Sequence, residues 1–161
     1  VKNQESIFTF YKIPRAMPTL NFVDRNKRAI TLEEFQGSIV LLNIWATWCL
    51  PCREEMPALD RLQAELGGPD FEVVALSIDR GPSSMVESFY QEFGLKSLAL
   101  YHDPTGEVMY TLPVAGVPTT FLIDRNGNGL GLIVGPAKWD SPEVFQELKG
   151  YLSRKNEENN L

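Results

Sequence analysis

An α/β fold, with a central mixed β-sheet flanked by helices on both faces, is what this sequence predicts, and three observations predict it. Residues 39–45 (IVLLNIW) are apolar at nearly every position, as in a central strand covered on both sides. Strand-like and helix-like runs alternate along the chain, the order that builds a layered sheet with helices around it. Asn126-Gly127 lies between the apolar runs 119–123 and 130–134, a hairpin signal that adds an antiparallel edge.

Residues 1–17 carry one proline, Pro14, with Pro18 just beyond, and no clear period, and are expected to be a lead-in segment. Leu20–Val23 and Arg28–Thr31 bracket the turn cluster Asp24-Arg25-Asn26-Lys27, which predicts an N-terminal β-hairpin. Thr31 precedes Glu33 and Glu34 as a helix cap with acidic residues in the first turn, and Gly37 ends that short helix. After the strand 39–45, Met56, Leu59, Leu62 and Leu66 mark a helical face over 53–66, with Pro57 expected to kink it. A second strand spans 71–78, a helix 83–93, a short strand 97–101 and a helix 105–112. Ser141-Pro142-Glu143 opens a last helix, expected to run to about Leu152. The domain is thus expected over 18–152, with a polar tail at 153–161 that frays.

The formal net charge of −6 argues against nucleic-acid binding, which wants a clustered basic face. No apolar run approaches the roughly 18 residues of a membrane span. The chain begins at Val1 rather than Met, so we expect a leader or anchor to have preceded it.

Two cysteines, Cys49 and Cys52, and one histidine, His102, are too few for a disulfide framework or a closed zinc site. No metal and no cofactor is expected. By spacing alone, Cys-x-x-Cys is a redox pair, a structural pair or part of a metal site. Its place favours the first, because it stands where a central strand ends and a helix begins. Free backbone N–H groups and the helix dipole there stabilise a thiolate. A free thiol has a pKa of about 8.5, and thiols in such motifs reach about 7 or below. Cys49 is therefore expected to attack a partner's disulfide, and Cys52, one turn into the helix, to resolve the mixed disulfide. Pro51 suits the first helical turn, where its missing N–H costs nothing. Trp45 and Trp48 flank the pair, and Gly116-Val117-Pro118-Thr119 places a proline just before a strand, which suits an edge or a cis turn.

Ile44-Trp45-Ala46-Thr47-Trp48-Cys49-Leu50-Pro51-Cys52-Arg53-Glu54-Glu55-Met56-Pro57, with Gly116 to Asp124 (GVPTTFLID), resembles the TlpA/ResA-like branch of the thioredoxin superfamily. The resemblance covers most of 18–152 and implies a thioredoxin fold with a central strand-helix insert between 78 and Pro118. It implies that Pro118 is a cis-proline facing the cysteines and that the Val117 backbone pairs with bound peptide. Trp48, Val117 and Pro118 are then substrate-binding, and Trp45 and Pro51 structural at the site. It also implies an acidic role near the thiols for Glu55, since Asn43 stands where plain thioredoxin carries a buried Asp. Arg53 is expected to be a solvated side chain, and His102 a structural or surface residue.

The partners implied are protein thiols and disulfides, among them apocytochrome c or copper-site proteins of cytochrome oxidase, with a membrane-anchored electron donor outside the bacterial cytoplasm. Two other readings remain. A thiol peroxidase shares the fold, but its Pro-x-x-x-Thr-x-x-Cys context is missing around Thr47 and Asn43. A copper-binding assembly factor would use a wider cysteine spacing with a distant histidine.

Overall fold

Every residue of the strand Ile39–Trp45, β4, is buried, and the rest of the molecule is arranged around it. The computed structural model describes residues 5–158. Before β4 come β1 (Thr9–Ala16), β2 (Phe22–Asp24), β3 (Ala29–Ile30) and a 3-10 turn (Leu32–Phe35). After it come α1 (Leu50–Leu66), β5 (Phe71–Ser77), α2 (Ser84–Glu92), β6 (Tyr101–His102) and α3 (Val108–Thr111). The chain continues through β7 (Thr119–Ile123), β8 (Asn128–Val134) and α4 (Pro142–Glu158). The strands form one sheet in the order β1-β8-β7-β4-β5-β6-β2-β3. β5 runs parallel to both β4 and β6, and β7 runs antiparallel to β4, so the sheet is mixed. The predicted hairpins are both present, as β2–β3 and β7–β8.

Four elements differ from the sequence reading, and three of the differences have local causes. Residues 1–17 hold the edge strand β1, which pairs with β8. Most of its side chains are exposed, so no period marks it. Pro14, which has no N–H to give, lies in the irregular stretch between the paired residues Phe10 and Arg15. The strand expected at 97–101 shrinks to Tyr101–His102, because the Asp60 carboxylate takes the N–H groups of Ser97 and Leu98 at 2.9 and 2.8 Å. The helix expected at 105–112 shrinks to Val108–Thr111, because the Asp103 carboxylate takes Thr105 N, Thr105 Oγ1 and Val108 N. These bonds hold residues 103–107 as a turn rather than a helical start. Finally, α4 continues past Leu152 to Glu158; the end of the expected tail, 159–161, lies outside the described residues.

Gly131 lets β1 approach β8. A Cβ there would lie 2.5 Å from the Thr9 carbonyl oxygen and 3.0 Å from Phe10 Cα, both backbone atoms. Gly131→Ala is therefore expected to cost about 1–3 kcal/mol by forcing the strands apart. A lowered urea midpoint would show this, and an unchanged midpoint would mean that β1 does not pack as described.

Candidate active site

The chain leaves β4 at Trp45 and is fastened before it reaches Cys49. Ile78 N donates to the Trp45 carbonyl at 2.9 Å. The buried carboxylate of Asp79, just beyond β5, accepts from Thr47 N at 3.0 Å, Thr47 Oγ1 at 2.6 Å and Ser77 Oγ at 2.6 Å. Cys49 N then donates to the Ala46 carbonyl at 3.2 Å, and Cys49 becomes the N-cap of α1. The helix thus starts at Leu50, earlier than the apolar period shows, with Pro51 in its first turn.

Cys49 and Cys52 are joined by a disulfide, with their Cα atoms 5.2 Å apart. Cys52 N donates to Cys49 Sγ at 3.3 Å, so an N–H of the first helical turn, with no partner within the helix, points at this sulfur. Cys49 is 7% exposed and Cys52 fully buried, so Cys49 is the more accessible of the two residues. On either side of Cys49, Trp48 and Leu50 stand out into solvent.

The second wall of the site comes from β7. Val117–Pro118 is cis, and the Val117 carbonyl oxygen lies 3.7 Å from Cys49 Sγ. Two bonds hold this turn: Thr119 Oγ1 donates to the Gly116 carbonyl at 2.6 Å, and Gly135 N donates to the Pro118 carbonyl at 2.8 Å. The loop after β8 therefore supports the proline.

Glu55 lies one turn beyond Cys52 on the buried face of α1. Its Oε1 accepts from Asn43 Nδ2 at 2.9 Å, and its Oε2 from Trp139 Nε1 at 2.8 Å and Ala137 N at 3.1 Å. Asn43 Nδ2 also donates to Thr120 Oγ1 at 2.9 Å, while Asn43 Oδ1 has no partner among the described residues. Burial pushes the Glu55 carboxyl above the usual carboxylate range, and the bonds from Ala137, Asn43 and Trp139 pull against that shift. Asn43 and Glu55, twelve residues apart in sequence, thus form one polar cluster under the sheet end.

Trp45 is buried and packs on Phe89 of α2, with ring centroids 5.1 Å apart. Arg53, expected to be solvated, instead lies over the Phe89 and Phe93 rings at 5.4 and 5.3 Å and donates to the Thr47 carbonyl at 3.2 Å. Its guanidinium ties the insert to the cysteine loop. His102 is fully buried. Its Nε2 lies 2.6 Å from the Asp79 carbonyl, an acceptor, so Nε2 carries the proton and Nδ1 accepts from Ser83 Oγ at 2.9 Å. Both ring nitrogens are therefore engaged inside the fold. A hollow of about 730 Å³ between the N-terminal segment and α4 shares no lining residue with this site.

Asp79, Thr47 and Trp139 escape the sequence reading. Asp79 ends an apolar strand and looks like a turn residue. Trp139 sits among polar residues in a loop, and only its size hints at burial.

A disulfide at the N-terminus of a helix, beside a cis-proline and at the end of a parallel strand pair, defines a thiol–disulfide oxidoreductase of the thioredoxin fold. The chain belongs to the Redoxin family, whose profile matches residues 14–148. It is 32% identical over 157 residues to the thiol-disulfide oxidoreductase ResA of Oceanobacillus iheyensis, covering 95% of this chain and 78% of that protein. Among solved structures, it is similar to a protein from Chlorobium tepidum described as a thiol:disulfide interchange protein DsbE. The TM-score is 0.75 at 29% identity, over 86% of this chain and 96% of that one. It is also similar to the exposed lipoprotein thioredoxin Etrx1 of Streptococcus pneumoniae. There the TM-score is 0.68 at 25% identity, over 83% and 99% of the two chains. The Cys49–Cys52 disulfide is the redox centre, and protein thiols and disulfides are the substrate class.

Proposed function

We propose that this protein is an extracytoplasmic reductant of protein disulfides in cytochrome c or cytochrome oxidase maturation, with Cys49 as nucleophile and Cys52 as resolving thiol. The unequal burial of the two residues supports this division of labour: Cys49 is the less buried of the pair. Trp48, Val117 and Pro118 form the lips that receive the partner chain, and the free edge of the Val117 backbone pairs with it. Trp45 and Pro51 shape the loop and the helix start. Glu55 handles the proton of Cys52 from the buried side. Apocytochrome c and oxidised copper-site proteins are the partners, and a membrane-anchored donor returns the electrons. The resemblance to TlpA/ResA-like proteins supports the pathway, and the similarity to an exposed lipoprotein supports the compartment.

An oxidising compartment keeps most thiols paired, so a reductant there needs a potential well below that of a strong oxidant, at about −120 mV. Equilibrating the Cys49/Cys52 pair against glutathione should place it far below that value. A result near it would reject the reductant role. Reduction of an oxidised haem-attachment Cys-x-x-Cys peptide or of an oxidised copper-site protein then tests the pathway. Failure with both would leave general disulfide exchange alone.

A further inference from the structure

His102, the one histidine of the chain, is fully buried, and a buried imidazole is costly unless its ring nitrogens are bonded. An apolar side chain would fill the same space without that demand. Both bonds of the ring go to one short segment. Nε2 donates to the Asp79 carbonyl at 2.6 Å, and Nδ1 accepts from Ser83 Oγ at 2.9 Å. Between these two buried residues, Arg80, Gly81 and Pro82 are exposed, and Gly81 turns the chain at a positive φ of 100°. The ring thus closes the base of a surface loop that leads from β5 into α2. The ring's own backbone is fixed on both sides, because His102 pairs in β6 with Val23 of β2 and with Ser77 of β5.

Asp79 depends on this support. It lies beyond the last residue of β5, so its backbone is outside the sheet ladder. Its N–H donates to Ser77 Oγ at 3.1 Å, and its carbonyl accepts from His102. Its carboxylate takes Thr47 N and Thr47 Oγ1, and the Thr47 carbonyl accepts from Arg53. Every polar group of Thr47 is therefore engaged, two residues before Cys49.

The effect of this chain of contacts falls on the reduced protein. In the disulfide form, the bond to Cys52 itself pins Cys49 to the start of α1. Two electrons and two protons convert that bond into two thiols. The Cys49 sulfur then stays beside the free N–H groups of α1 only as far as the loop before it holds it there. A thiolate that leaves this place loses the stabilisation of the helix end, and its pKa returns toward the ordinary value of about 8.5.

We propose that His102 is a positioning residue for Cys49: through Asp79 and Thr47 it holds the loop so that the reduced Cys49 sulfur remains at the N-terminus of α1. This rests on the reading of Cys49 as nucleophile, and adds to it a residue from the insert between β5 and β7. His102 acts through two other residues and not on the substrate.

The test alkylates the reduced 161-residue chain over a range of pH and reads the two cysteines separately by peptide mass. In His102→Leu a neutral ring gives way to a neutral side chain. The charged groups around the loop, Arg53 and Glu55 on α1 and Asp79 after β5, are kept while the brace is lost. The midpoint of Cys49 labelling should rise by about half a pH unit or more, toward the ordinary thiol value. His102→Gln, whose amide N–H can replace Nε2 at the Asp79 carbonyl, should undo most of that rise. Gly131→Ala, destabilising at the distant β1–β8 pair, should leave the midpoint in place. An unmoved midpoint in His102→Leu makes His102 a packing residue and overturns the proposal, while the nucleophile assignment stands. An equal rise in Gly131→Ala also overturns it, because the cause is then lowered stability at large, as does a Gln variant no different from Leu. If His102→Leu does not fold, Ser83→Ala decides. It removes the donor that fixes the ring's tautomer, so the midpoint should again rise, and no rise overturns the proposal. Faster labelling of Cys52 than of Cys49 in the parent chain would overturn the nucleophile assignment, and this proposal with it, before any variant is compared.

Discussion

Cys49→Ser is expected to abolish reduction of a protein disulfide, whereas Cys52→Ser should stop the reaction halfway, with the partner held on Cys49. The asymmetry follows from position. Cys49 caps α1, receives the Cys52 N–H at 3.3 Å and is the less buried of the two cysteines. A thiol pKa lowered by about 1.5 units at such a terminus corresponds to roughly 2 kcal/mol in favour of the thiolate. That thiolate attacks one sulfur of the partner's disulfide, and the other leaves as a thiolate that takes a proton from solvent. Cys52 then attacks Cys49 Sγ, the second partner thiolate leaves, and the protein has given up two electrons as its own disulfide forms. Without Cys52 the second step has no nucleophile, so the mixed disulfide accumulates and is seen by mass on a non-reducing gel. Alkylation of the reduced parent chain should label Cys49 first. Faster labelling of Cys52 would reverse the assignment.

Glu55→Ala is expected to be the most destabilising substitution at the site outside the cysteines, at about 2–4 kcal/mol. It strips the acceptor from Trp139 Nε1, Ala137 N and one bond of Asn43 Nδ2, and the freed donors are shut away from water. Because Ala137 and Trp139 belong to the loop that carries Gly135, and Gly135 N holds the Pro118 carbonyl, the loss should reach the cis-proline turn as well. Glu55→Gln should be milder. Asn43 Oδ1 has no partner among the described residues, so a rotated Asn43 amide can accept from the NH2 group that this substitution introduces, at the cost of the Thr120 bond.

The pH dependence separates the two variants. The folded-state pKa of Glu55 is raised above its ordinary 4.5, chiefly by burial. The folded protein therefore holds this proton more tightly than the unfolded chain. Its contribution to stability is complete below the ordinary value and declines as pH rises through the interval up to the raised value. Glu55→Gln removes that decline, so the difference in stability between parent and variant should shift in the variant's favour across this interval. Denaturant titrations at several pH values check this, and parallel curves would show that Glu55 does not titrate as described. If Glu55 also handles the Cys52 proton, the same variant alters the pH profile of resolution but not of first attack.

The local pattern of the chain was sufficient for β4, β5, β7, α1 and both hairpins, because each shows its own period or turn chemistry within a few residues. Cys-Leu-Pro-Cys at a strand–helix junction and Val-Pro before a strand were likewise visible as motifs. The edge strand β1 was not, since an exposed strand without alternation leaves no signal. The strand at 97–101 and the helix at 105–112 were expected too long, because Asp60 and Asp103 take backbone N–H groups that a strand or a longer helix would have used. The same limit applies to the site. Sequence named Cys49, Cys52, Pro118 and Glu55. Only the tertiary structure joined Glu55 to Trp139 and Asn43, seated Thr47 on Asp79, drew Arg53 onto the aromatic rings of α2, and set His102 between Asp79 and Ser83. Those contacts join residues far apart in the chain, and they form because a buried polar group must find its partner wherever the fold brings one within reach.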